Sequence, residues 1–112
     1  MELSVHGKKV YAATGGKAFD PALPAVVFLH GAGCDHTVWA LQTRWFAWHG
    51  RSVLAVDLPG HGRSEGPVLD SVGAIAEWVL ALLDAAGVAH DRKADVDPYT
   101  LLPKWLHPRK SA

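Results

Sequence analysis

Ala25-Val26-Val27-Phe28-Leu29-His30-Gly31-Ala32-Gly33 sets an unbroken apolar run against an abrupt, glycine-flanked turn. Five apolar residues with no polar alternate leave no face for water, the pattern of a parallel strand covered on both sides. The same grammar returns downstream. Ser52–Val56 is a second apolar run, and it too breaks, into Asp57-Leu58-Pro59-Gly60-His61-Gly62-Arg63-Ser64. Between the runs, Val38, Leu41, Trp45 and Trp48 recur at helical spacing. They predict a helix over about residues 38–49, capped by Asp35 or Thr37, closed by Gly50 and turned inward on its apolar stripe. After a Gly/Pro-rich loop at 58–67, Asp70 or Ser71 caps a second helix. Its stripe is Val72, Ile75, Val79, Leu82, Leu83 and Ala86, and Gly87 closes it. Strand, helix, strand, helix predicts an α/β fold with parallel strands.

Upstream, residues 3–5 and 9–13 read as a hairpin turning at His6-Gly7, with a loop over 14–24 after it. Downstream the pattern stops. Five of the seven residues at 91–97 are charged, and Pro98, Pro103 and Pro108 interrupt the last stretch of the chain. Tyr99, Leu101, Leu102, Trp105 and Leu106 offer a short apolar segment for docking. The expected organisation is one domain over residues 1–89 and a divergent, poorly ordered tail over 90–112.

Lys plus Arg number 11 and Asp plus Glu number 11, so the formal net charge is zero. That balance gives no electrostatic reason to expect nucleic acid or an anionic membrane as partner. No apolar run approaches the roughly 20 residues of a membrane span, and residues 1–9 have no signal-peptide core. The single cysteine, Cys34, has no internal disulfide partner, and a cytoplasmic location is the expectation. The seven histidines show no i, i+4 pair with a third ligand, so no metal is expected.

Taken together, Phe28-Leu29-His30-Gly31-Ala32-Gly33 and Val56-Asp57-Leu58-Pro59-Gly60-His61-Gly62-Arg63-Ser64 resemble the α/β-hydrolase family, in which an HG-x motif comes after the third strand and a D-x-x-G-x-G-x-S motif after the fourth. The likeness covers about residues 1–89. It implies a partial α/β-hydrolase sheet, an N-terminal β-hairpin and then strand-helix-strand-helix, truncated before the nucleophile-elbow strand. It also implies that the backbone N–H of Ala32 serves in an oxyanion hole, where fixed N–H groups stabilise negative charge on a carbonyl oxygen. His30, Gly31, Gly33, Asp57, Gly60, His61, Gly62 and Ser64 then shape the loops around the site. The implied reaction is hydrolysis of a carboxylic ester or related bond in a small molecule, without a cofactor, once the missing region is supplied. With no fifth strand, Ala25–Leu29 becomes an edge through which the chain self-associates, unless the apolar segment of the tail covers it.

Gly62-Arg63-Ser64-Glu65-Gly66 satisfies the G-x-S-x-G expression of a nucleophile elbow. An elbow needs a buried strand leading in and a helix leading out, and Pro59 and Pro67 flank this one instead. Asp57 and His61 read as loop residues rather than as acid and base. Cys34 reads as a small, semi-buried packing residue, and Trp39, Trp45 and Trp48 as core. With no nucleophile, base or acid in place, the chain is expected to be an inactive truncated or frameshifted form. Two other readings stand beside it: a non-catalytic binding fragment, and a dinucleotide-binding unit built on Gly31-x-Gly33 and Asp57. The latter lacks its third glycine, since position 36 is His36.

Overall fold

The computed structural model describes residues 1–90 of the 112; the expectations for the segment 91–112 lie outside the described residues. Strands β1 (Glu2–Val5) and β2 (Lys8–Ala13) form the expected hairpin. His6 and Gly7 both sit at positive φ, as a two-residue hairpin turn demands. Strand β3 (Ala25–Leu29) leads through a short 3₁₀ turn (His36–Trp39) into helix α1 (Ala40–Ala47). Strand β4 (Ser52–Val56) and helix α2 (Val72–Ala85) come next. The sheet order is β1-β2-β4-β3, with β3 parallel to β4 and β2 antiparallel to it.

The two apolar runs have different fates. All of β4 is buried, because it lies between β2 and β3. The run in β3 has the same character, yet its residues are only half-buried and Leu29 is exposed. The sheet ends there, so the both-faces burial suggested by its composition is not realised among the described residues. One core cluster joins the sheet to α2. Val10, Ala12, Leu54 and Val56 from the sheet meet Trp78, Leu82 and Ala86 of the α2 segment. Ser71 caps α2 by accepting the Ala74 N–H.

Helix α1 departs from expectation. It starts at Ala40, after the 3₁₀ turn, and the stripe meant for the core faces outward. Val38 is 50% exposed, Leu41 83%, Trp45 57% and Trp48 56%. The buried positions are Thr43 and Ala47. Tertiary packing decides the face. The loop at Gly15 approaches α1 so closely that a Cβ on Gly15 would lie 2.5 Å from the Thr43 carbonyl oxygen and 2.7 Å from the Ala47 Cβ. Only small residues fit beneath that loop. Of the aromatics, Trp39 and Phe46 turn toward Phe28 of β3, with centroids 5.3 Å and 5.8 Å away.

Candidate functional site

Both loops expected to carry chemistry leave the same end of adjacent parallel strands, one after β3 and one after β4. Open parallel sheets place their ligand crevices there. The loops face one another across an open cleft of about 490 Å³. Gly33, Cys34, Asp35 and Val38 line one side and Gly60, His61 and Gly62 the other.

Asp57 ties the loops from below. Its side chain is fully buried. One carboxylate oxygen accepts the His36 N–H at 2.7 Å and faces the His36 Nδ1 at 2.9 Å; the other accepts the Arg63 N–H at 2.9 Å. Burial pushes this carboxyl toward the neutral form. The Arg63 and His36 N–H groups, the His36 ring and its charge outweigh burial and hold the pKa below the ordinary aspartate value. Gly62 packs directly on the carboxylate, where any Cβ would collide with it. The ring of His36 also leans on Tyr11 at 4.9 Å, and the Arg63 guanidinium covers the same tyrosine.

Ser64 is buried as well. Its hydroxyl donates to the Asp57 carbonyl oxygen at 2.6 Å and accepts the Tyr11 N–H at 3.0 Å. Glu65 continues the seam, exchanging bonds with the Lys9 backbone at 2.6 Å and 2.9 Å. The loop 58–67 is thereby stitched to β2 along the line of β4, unlike an exposed strand-to-helix elbow. His30 is buried, accepts the Leu58 N–H at its Nε2 and lies beside the His61 ring. Gly31 and Ala32 are exposed in the turn that Cys34 N–H closes onto the Gly31 carbonyl, with Gly33 at φ +77°.

Of the residues singled out in sequence, Gly33, Gly60, His61 and Gly62 therefore line the cleft. His30, Asp57 and Ser64 are buried braces around it. Cys34, expected to be semi-buried, is exposed. Sequence reasoning finds neither His36 as the partner of Asp57 nor Tyr11 as the partner of Ser64. The one available signal is chemical: a buried carboxylate demands donors. Ligand atoms of Asp35, His36 and Asp57 lie within 4.8 Å of one another. Each side chain is already engaged, His36 with Asp57 and Asp35 with Thr37. No helix of the described residues is long and apolar enough to cross a membrane.

Over residues 26–98 the sequence matches the family described as the alpha/beta hydrolase family. It is 37% identical over 86 residues to a 2-succinyl-6-hydroxy-2,4-cyclohexadiene-1-carboxylate synthase of Salmonella agona, an alignment covering 77% of this chain and 28% of that protein. The chain thus spans little more than a quarter of that curated relative's length. An epoxide hydrolase variant from Vigna radiata is similar in structure, with TM-score 0.64 at 33% identity over 85% of this chain and 31% of that one. Epoxide hydrolase A of Mycobacterium thermoresistibile shares the fold, with TM-score 0.67 at 23% identity over 79% of this chain and 28% of that one.

Proposed function

The chain belongs to the alpha/beta hydrolase family, and from that premise we propose that its residues build the oxyanion-hole side of a hydrolytic site for a small ester-like substrate, while the 112-residue chain alone turns nothing over. The observation that carries this reading is the convergence of the two motif loops on one cleft, beside a turn whose Ala32 N–H is left free. No cofactor enters the proposal. The reacting groups would come from the remainder of a hydrolase fold, because the described residues hold a brace where a triad would be needed. Ser52, Ser64 and Ser71 each spend their hydroxyl on backbone. No serine among the described residues is hydrogen-bonded to a histidine. A cytoplasmic setting suits the lone Cys34 thiol.

Two experiments test this. The purified chain should hydrolyse 4-nitrophenyl acetate no faster than buffer, and Ser64→Ala should leave that background unchanged; turnover abolished by Ser64→Ala would show that the elbow is real. For the oxyanion role, residues 1–89 replace the matching part of the Salmonella agona synthase. Ala32→Pro then removes the N–H at a turn position that suits proline. In the chimaera, kcat for the parent reaction should fall about 100- to 1,000-fold. An unchanged kcat would refute the assignment of Ala32.

A further inference from the structure

His30 has both ring nitrogens committed. Nε2 accepts the Leu58 N–H at 3.0 Å, and Nδ1 lies 2.8 Å from the Gly31 carbonyl oxygen. A nitrogen that accepts from an N–H carries no proton, and a carbonyl oxygen only accepts. The two contacts together select one form of the ring, neutral with its proton on Nδ1. The carbonyl that receives this proton belongs to the same peptide unit as the Ala32 N–H. A trans peptide is planar and holds its C=O and N–H on opposite sides. The Gly31 carbonyl also accepts the Cys34 N–H at 3.1 Å. Held by two donors, it leaves its peptide one orientation, with the Ala32 N–H directed away from both. Among the described residues that N–H has no hydrogen-bond partner.

The geometry points to His30 as a positioning residue: its Nδ1–H bond to the Gly31 carbonyl sets the plane of the 31–32 peptide and so aims the Ala32 N–H, while its Nε2 anchors the ring to the loop after β4. The inference rests on the reading of Ala32 as an oxyanion donor. Such a donor works because its direction is fixed before charge develops; an N–H free to swing would have to be ordered during the reaction. The histidine of the first motif thus needs the second motif in place, since Leu58 lies within it. Burial of the ring, and the His61 ring 5.0 Å away, keep it from turning.

The two ring contacts separate by substitution. In His30→Asn the amide NH₂ stands where Nδ1–H was and still reaches Gly31, but Leu58 is out of range. In His30→Gln the longer side chain favours Leu58 instead. The experiment is ¹⁵N NMR on the full 112-residue chain. Long-range ¹⁵N–¹H spectra of the wild type should show His30 protonated at Nδ1 and bare at Nε2. The Ala32 amide order parameter should fall from about 0.85 to below about 0.6 in His30→Gln and stay near the wild-type value in His30→Asn. Unchanged β4 amide shifts report that the fold is intact. A wild-type ring protonated at Nε2, which can be read even if both variants unfold, overturns the proposal. So does an Ala32 order parameter that ignores His30→Gln in a folded chain. Ordering that depends on His30, combined with full turnover of the Ala32→Pro chimaera, would remove the oxyanion role and leave the clamp standing.

Discussion

Asp57 keeps its charge in a fully buried site because three donors face it, and that makes it the residue on which the two loops depend. Asparagine in its place would turn an NH₂ toward at least one of the N–H groups of His36 or Arg63, setting donor against donor. Asp57→Asn should therefore destabilise the fold by about 2 kcal/mol, read from the urea midpoint at pH 7. The pH dependence has a definite sign. A carboxyl whose folded pKa lies below the ordinary aspartate value of 3.8 binds its proton less readily in the folded state. Its stabilisation is complete above that value and is lost as the pH falls through the lower, folded pKa. The wild-type midpoint should drop below about pH 4, and Asp57→Asn should flatten part of that drop. Asp35, whose carboxyl is also lowered by the Thr37 hydroxyl and N–H, retains its own share. A wild-type midpoint independent of acid would contradict this. The sequence makes Asp57 conspicuous by its place after an apolar strand. Its partner is hidden, because His36 is 21 positions away and nothing in its neighbours marks it.

Helix α1 shows where periodicity misleads. Leu41, Trp45 and Trp48 do share a face, as their spacing says, but spacing is silent about which face the sheet receives. The loop at Gly15 settles it, demanding small residues at Thr43 and Ala47 and so turning the large ones outward. A contact between positions 15 and 43 has no local signature. Helix α2 is easier to read at its ends, since its cap at Ser71 and its closing Gly87 are local features. Of its stripe, Leu82 and Ala86 enter the core and Val79 packs against it, while Val72 is 64% exposed and the buried Trp78 and Leu80 lie outside the stripe. Two substitutions separate the faces of α1. Gly15→Ala, with a positive φ and no room for a Cβ, should cost about 2 kcal/mol or more. Leu41→Lys, at a largely exposed position, should stay within about 0.5 kcal/mol. A large loss for Leu41→Lys in thermal or urea unfolding would mean that the outward stripe is covered after all.

At the scale of the whole molecule, the β3 edge of the sheet is open among the described residues. The Pro24 carbonyl accepts the Ser52 N–H, and parallel pairing engages alternate residues. The N–H and C=O groups of Ala25, Val27 and Leu29 therefore point away from β4, toward the open edge. Nothing along β3 discourages a second strand: Ala25–Leu29 contains no charge and no proline. The apolar residues Leu41, Trp45 and Trp48 add exposed surface on the outer face of α1, and the zero net charge supplies no repulsion between copies. Two copies of the chain, with their β3 strands antiparallel, would satisfy each other's backbone groups by the same symmetry that relates them. The purified chain is thus expected to sediment as a dimer or larger species at tens of micromolar, about the concentration of an ordinary velocity run. Leu29→Lys places a like charge on each copy's edge, at a residue already exposed, and should shift the boundary toward the monomer, while the urea midpoint measured at a dilution where the wild type is itself monomeric should not move. A wild-type chain that sediments as a monomer would show that this edge is protected, and a dimer indifferent to Leu29→Lys would move the contact from β3 to the tryptophan face of α1.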